Sequence, residues 1–197
     1  TPTTALPTYP FQHRPYWLTP AATTNVTTAG LDQPDHPLLG AVTPLTDQDQ
    51  VMVLTGRLSP TTHPWLGSHR VQGTPILPAA VLADLLLYAG GHADCPVIEE
   101  LLLQAPVVLA DESTTDVQIT VHPVDETHRR PFTVHSRTSG GAAWVLHATG
   151  TLSAERGRAP AVVVPSVVEG VDVGGFYAGL AAQGLGYAGP FQAVVGI

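Results

Sequence analysis

From His36 onward the chain changes from irregular to patterned. Val51 to Arg57 is a short apolar run bounded by turn residues and reads as a strand. His63 to Pro78 shows no sustained period and reads as a loop. Pro78 to Ala89, PAAVLADLLLYA, gives the clearest helix pattern. Proline suits a first helical position, where its missing N–H costs nothing, and Gly90-Gly91 is expected to end the segment. The helix is apolar nearly all round, with Asp84 its only charge, so burial on most sides is expected. Val97–Leu109, Asp116–Val121, Phe132–Arg137 and Ala142–Leu152 then read as strands. Turn clusters such as DEST and SGG separate them, as in an antiparallel meander. One buried helix followed by a run of strands predicts an α+β domain with the sheet wrapped around the helix.

The flanks have another texture. Residues 1–35 are rich in Pro and Thr, with aromatic anchors at Tyr9, Phe11, Tyr16 and Trp17 expected to pack on a neighbouring domain. Residues 154–170 read as a Pro/Val/Ala-rich connector. Val171 to Gln183 reads as a short helix, and Tyr187 to Ile197 as the opening of a new strand region. The chain starts without Met and stops without a closing element, so it is expected to be part of something longer.

Composition removes several classes of function. Of 197 residues, 44% are hydrophobic and 12% charged, enough for one ordinary domain with a real core. The net charge is −8, and every basic residue is Arg. No basic face for nucleic acid is visible, and without Lys there is neither Schiff-base chemistry nor a P-loop lysine. Cys95 is the only cysteine, so no internal disulfide can form, which fits a cytoplasmic location. No run reaches the roughly 18–20 apolar residues of a membrane span, and the start resembles no signal or transit peptide.

The candidate chemistry lies in His69-Arg-Val-Gln-Gly73-Thr-Pro-Ile-Leu-Pro78, an HxxxGxxxxP pattern running into the helix start. Histidine titrates near neutrality and can take or give a proton at physiological pH. Gly73 lets the backbone approach a ligand closely, and Pro78 starts the helix. Free N–H groups near Gly73 and the helix start could hold a developing oxyanion. Together these suit proton removal next to a carbonyl. As a bare pattern the motif recurs by chance, and His69 could equally be a loop or core histidine.

Context adds a resemblance. HPWLGSHRVQGTPILPAAVLADLLLYAG, from His63 to Gly90, resembles the start of dehydratase domains of modular polyketide synthases. LPTYPFQHRPYWL looks like the linker that follows an acyltransferase domain in these synthases, and HPLLG (His36 to Gly40) like the opening of the dehydratase. WVLHATGTL, from Trp144 to Leu152, is similar to the family's HA.G.L strand. GLGYAGPFQ, from Gly184 to Gln192, looks like its GYxYGPxF motif. These occur in order over almost the whole chain.

The resemblance implies a double hotdog, each half wrapping a curved antiparallel sheet around one long helix. Residues 36–153 would be the N-terminal hotdog and 171–197 the start of the C-terminal one. The implied reaction removes water from a β-hydroxyacyl thioester on an acyl carrier protein, leaving an α,β-unsaturated thioester. His69 would take the α-proton, Gly73 and Pro78 would contact substrate, and Tyr187, Gly189 and Pro190 would shape the acyl tunnel. An Asp on the second half's helix, in a DxxxQ setting past Ile197, would protonate the leaving hydroxyl. No metal and no intrinsic cofactor is implied, only the carrier's phosphopantetheine. Implied partners are that carrier, neighbouring acyltransferase and ketoreductase domains, and a second copy in a homodimer.

Three departures stand out. The second helix is not in this chain, Ala79 stands where Gly usually follows the motif's Pro, and the last motif has Leu185 for a common Tyr and Ala188 before Gly189-Pro190. Alternative readings on the same fold are a vestigial, non-catalytic spacer or dimerisation domain, a double-bond isomerase, and a pyran-forming cyclase. Asp84, six residues after Pro78, is either structural or an acid donated across a dimer. His147 lies on a strand and reads as structural. No HExxH, Cys/His spacing or GxSxG elbow is present.

Overall fold

The computed structural model describes residues 26–46, 50–109, 111, 113–141, 143–155, 170 and 172–194. The aromatic anchors Tyr9, Phe11, Tyr16 and Trp17 and most of the 154–170 connector lie outside the described residues.

Among the described residues, nine strands and two α-helices follow one another. They are β1 (Ala41–Pro44), β2 (Met52–Leu58), β3 (His69–Val71), β4 (Thr74–Pro75), α1 (Ala79–His92), β5 (Val97–Leu103), β6 (Thr115–Val121), β7 (Arg129–Thr138), β8 (Val145–Ser153), α2 (Val173–Ala182) and β9 (Leu185–Tyr187). Six strands form one antiparallel sheet in the order β1-β2-β6-β7-β8-β5. Only β6-β7-β8 follow as a meander. β5 returns to the far edge beside β8, which the expectation of a simple meander did not contain.

The alternation of the central strands points their apolar residues to one face. Val117, Ile119 and Val121 of β6 and Phe132 and Val134 of β7 are buried. They join a single core with Leu82, Leu85, Leu86 and Ala89 of α1. Each fully buried large apolar side chain contributes roughly 1.5–3 kcal/mol, so this face decides where the sheet curls. The result is α1 cradled by a wrapped antiparallel sheet, the arrangement expected of one hotdog.

Several sequence expectations need correction. α1 does not end at Gly90-Gly91 but runs to His92. Gly90 is there for close approach: a Cβ would collide with the Cys95 carbonyl oxygen. The helix ends instead where the Ala93 N–H turns back to the Ala89 and Gly90 carbonyls, followed by Asp94 at φ 56°. Nor is α1 buried on most sides. The sheet covers one face, while Leu87 on the other is 47% exposed. The expected strand Val97–Leu109 stops at Leu103, and Gln104 to Leu109 leaves the sheet to run beside β4. The expected strand from Tyr187 onward has already ended there, and a single 3-10 turn, Gly189–Phe191, follows. The stretch His63–Pro78 is not a plain loop, since it holds a 3-10 turn (Pro64–Ser68) and the β3–β4 hairpin.

One buried cation ties the loops together. Arg130 is 8% exposed and its guanidinium donates to three backbone carbonyls: His122 at 2.9 Å, Ala93 at 3.3 Å, and Gln50. These belong to the β6–β7 connection, the end of α1 and the β1–β2 connection. The branched guanidinium spreads its donors over three nitrogens and so reaches carbonyls on three separate segments, a span that one ammonium nitrogen does not match.

Two outcomes are expected. Arg130→Lys should lower the unfolding free energy by about 2–3 kcal/mol in urea titrations, because at least two carbonyls lose a charged donor. Arg57→Lys, on a largely exposed side chain, should change it by under about 1 kcal/mol. The second concerns Asp116, whose side chain is 13% exposed. Burial alone would push its carboxyl up, but hydrogen bonds from Arg57, Ser139 and Arg137 outweigh burial and hold it below the ordinary value. A depressed folded value stabilises the fold above the unfolded pKa of about 3.9, and this stabilisation is lost as pH falls through the lower folded value. Asp116→Asn should therefore flatten the acid limb of the stability curve below about pH 4, read by urea midpoints across that range.

Candidate active site

The HxxxGxxxxP segment folds as a two-residue hairpin. Val71 pairs with Thr74 and Arg70 with Pro75, leaving Gln72 and Gly73 as the turn. Both have positive φ, 52° and 79°, the requirement of a type I′ turn that matches strand twist. Gly73 is exposed, and a Cβ there would meet nothing within 4 Å, so the position demands glycine for its backbone angle.

The hairpin closes on His69 and Ile76. The Ile76 N–H donates to the His69 carbonyl at 3.1 Å, and the His69 ring Nδ1 lies 2.9 Å from the Ile76 carbonyl. A carbonyl can only accept, so Nδ1 carries a proton, and in the neutral ring Nε2 holds the lone pair. Among the described residues Nε2 has no hydrogen-bond partner. Arg70 braces the hairpin from beneath. It donates to the Gly67 and Gly73 carbonyls at 3.0 and 2.9 Å and pairs with Asp111 at 2.6 Å.

β3 is the middle of a second, three-stranded sheet, β4-β3-β9. β9 places Tyr187 opposite His69. Their rings stack at 5.1 Å with 21° between planes, and Phe191 closes on His69 at 5.3 Å and 58°. Trp65 backs Phe191 at 6.2 Å. An aromatic clamp thus fixes the plane of the imidazole while the Ile76 carbonyl fixes its rotation.

His69 opens into a cavity of about 430 Å³. Its floor is Pro78, Ala79 and Leu82 at the start of α1, and its far wall is Leu103 to Val107. Pro78 is buried and takes extended angles (φ −62°, ψ 144°) before the first helical residue. The Val81 and Leu82 N–H groups both return to the Pro78 carbonyl. The N–H groups of Ala79 and Ala80 precede them in the first turn, where donors have no partner within the helix.

The residues singled out in sequence are only partly gathered. His69 and Pro78 line the same cavity. Tyr187 meets it through the His69 ring and also borders a separate hollow of about 450 Å³ beside α2. Gly73 sits at the hairpin tip. Gly189 and Pro190 form the exposed turn that delivers Phe191. Asp84 lies two residues past Leu82, about 200° further round the helix. Its carboxylate is 70% exposed and bonds His36 Nε2 at 3.1 Å. The structure thus commits Asp84 to holding the HPLLG segment. Trp65 and the wall at Gln104–Val107 escaped the sequence reading of the site. The signal for the wall was Pro106, in a run otherwise suited to a strand. No cluster of three or more His, Cys, Asp or Glu placed for a metal occurs among the described residues.

A wrapped antiparallel sheet around α1, with a histidine-bearing hairpin at the helix start, is a hotdog fold of the dehydratase kind. Comparison with known proteins agrees. The model of the polyketide synthase dehydratase domain matches residues 36–137, and the chain belongs to this family. It is 43% identical over 202 residues to the pikromycin polyketide synthase component PikAII of Streptomyces venezuelae, covering 98% of this chain and 5% of that protein. It superposes on the dehydratase domain from the terminal module of the rifamycin polyketide synthase with TM-score 0.81 and 36% identity, covering 87% of this chain and 63% of that one. A dehydratase from a study of substrate selection for the borrelidin and fluvirucin polyketide synthases gives TM-score 0.76 at 42% identity, covering 84% and 60%. The chain therefore spans a small fraction of its synthase relative and under two thirds of these solved domains.

The ring assignment is directly measurable. Nitrogen-15 spectra of the neutral imidazoles should show His69 protonated on Nδ1 and bare on Nε2. A His69 signal protonated on Nε2 would contradict the geometry above.

Proposed function

We propose that this domain dehydrates a β-hydroxyacyl thioester carried on the phosphopantetheine of an acyl carrier protein. One observation supports this most strongly. The Ile76 carbonyl holds His69 as an Nδ1–H tautomer, leaving a basic Nε2 on a mostly apolar cavity beside a helix N-terminus. In this reading the thioester carbonyl oxygen sits at the Ala79 and Ala80 N–H groups. Their positive partial charge stabilises the enolate oxygen as it develops. His69 Nε2 takes the α-proton, the Cβ–O bond breaks, and the hydroxyl leaves as water with a proton from a second acid. The products are water and an α,β-unsaturated thioester. The thioester itself acidifies the α-carbon, so acid–base groups suffice and no intrinsic cofactor enters the scheme.

The proton for the leaving hydroxyl is assigned to an Asp of the second hotdog half. Asp84 does not serve this reading, because its carboxylate turns away and pairs with His36. The exposed apolar residues Leu102 and Leu103 of the edge strand β5, and Val108 in the segment after it, offer that second half a surface. The setting we propose is a cytoplasmic multidomain synthase, with acyltransferase and ketoreductase domains beside this one and a second copy completing a homodimer. Among the described residues no helix is long and apolar enough to cross a membrane.

The test uses a β-hydroxyacyl N-acetylcysteamine thioester with the full-length protein and with His69→Ala. General acid–base catalysis is worth about 10²–10⁴-fold, and the variant should lose at least about 10²-fold in kcat. Equal water loss by both would remove His69 from the mechanism. A wild-type protein that moves the double bond or closes a ring without net water loss would replace dehydration by isomerisation or cyclisation. Residues 1–197 alone should be nearly inactive, and robust turnover by them would restore Asp84 as the acid.

A further inference from the structure

His147 is a buried histidine outside the reacting group, with every polar atom of its side chain used. Its Nδ1 lies 3.1 Å from the Ala105 carbonyl, and its Nε2 lies 2.7 Å from the Ser136 hydroxyl. The carbonyl can only accept, so Nδ1–H donates to it and the Ser136 hydroxyl donates to Nε2. The His147 backbone carbonyl also accepts the N–H groups of Gln104 at 2.8 Å and Ala105 at 3.4 Å.

The backbone shows how this arises. On β7, Val134 pairs with Ala148 while the next residue, His135, pairs with Leu146. His147 is the extra residue of a β-bulge. A bulge re-aims side chains, and here two successive residues, His147 and Ala148, are both buried instead of alternating. The same place marks the end of β5, whose last pair is Leu103 with Ala148. Beyond it the chain no longer follows β8, and His147 grips it at Gln104 and Ala105. Those two residues and Pro106 are the wall that faces His69 across the cavity.

We infer that His147 is a positioning residue that fixes this wall and thereby the size of acyl group the cavity admits. The inference rests on the dehydratase reading for its substrate, and on geometry alone for the wall. It assigns no proton transfer to His147, whose two ring nitrogens are both occupied.

The test compares the full-length wild type with His147→Leu, His147→Gln and Ser136→Ala on a short and a long β-hydroxyacyl thioester. His147→Leu should raise KM for the long substrate roughly tenfold relative to the short one, with kcat within about threefold. The pH profile of kcat should stay in place. His147→Gln, which keeps a donor for the Ala105 carbonyl, should recover most of the loss. Hydrogen exchange of the Gln104 and Ala105 amides should quicken about tenfold in His147→Leu, while the β6 amides stay protected. An unchanged KM ratio with unchanged exchange would overturn the inference, as would a lost kcat with a shifted pH profile. If His147→Leu does not fold, Ser136→Ala decides, since it removes one hydroxyl. A smaller KM shift in the same direction supports the inference, and none overturns it. If the wild type dehydrates neither substrate, the dehydratase reading fails, while the exchange arm still decides the placement of the wall.

Discussion

A single hydrogen bond, from the His69 ring to the Ile76 carbonyl, couples the fold to the chemistry. It does two jobs at once. It completes a hairpin whose turn needs two residues with positive φ, and it decides which imidazole nitrogen is free. The rest of the site follows from where that hairpin is held. Arg70 braces it from below, β9 and the 3-10 turn after it press Tyr187 and Phe191 against the ring, and α1 begins shortly after it with first-turn N–H groups that have no partner within the helix. Loss of the ring–carbonyl bond would leave a histidine in the right place with the wrong proton.

The larger sheet plays a different part. It encloses α1 on one face and so fixes the direction in which the first helical turn points. The two sheets meet where the chain passes from β4 through Pro78 into α1, and where Gln104–Leu109 runs back beside β4. The cavity lies at this junction. Its polar side is a rigid hairpin and its apolar side is a departing edge strand. That division places His69 on the better-determined element, while the wall opposite it leaves the sheet at a bulge.

The architecture was largely legible in the residues, because it rests on periodicity. The alternation in β6 and β7 and the apolar run of α1 specify a sheet on a helix, and HPLLG, the His69 segment and GLGYAGPFQ name the family. What could not be read depends on contacts between distant residues. Gly90-Gly91 looks like a helix stop, but Gly90 is small because the Cys95 carbonyl presses on the helix. Leu87 looks like core because sequence shows composition, not which face the sheet covers. Gly73 stands out in sequence for its freedom from a side chain, but that its φ of 79° serves a turn two residues long is visible only in the pairing of β3 with β4. Phe191 lay inside a recognised motif, yet its place on His69 depends on β9 pairing with a strand over a hundred residues earlier. The site's second acid is assigned, in the proposed scheme, to the second hotdog half.

The central claim is that His69 Nε2 is the base, whatever acid completes the reaction. Exchange of the acyl α-hydrogens in D₂O isolates that step, since it needs no departure of the hydroxyl. Mass spectrometry of a saturated acyl thioester incubated with the full-length protein should show deuterium entering the α-carbon. His69→Ala should reduce that rate at least about 10²-fold. Undiminished exchange in folded His69→Ala would show that another group removes the proton, and the account built on the His69–Ile76 hydrogen bond would fail.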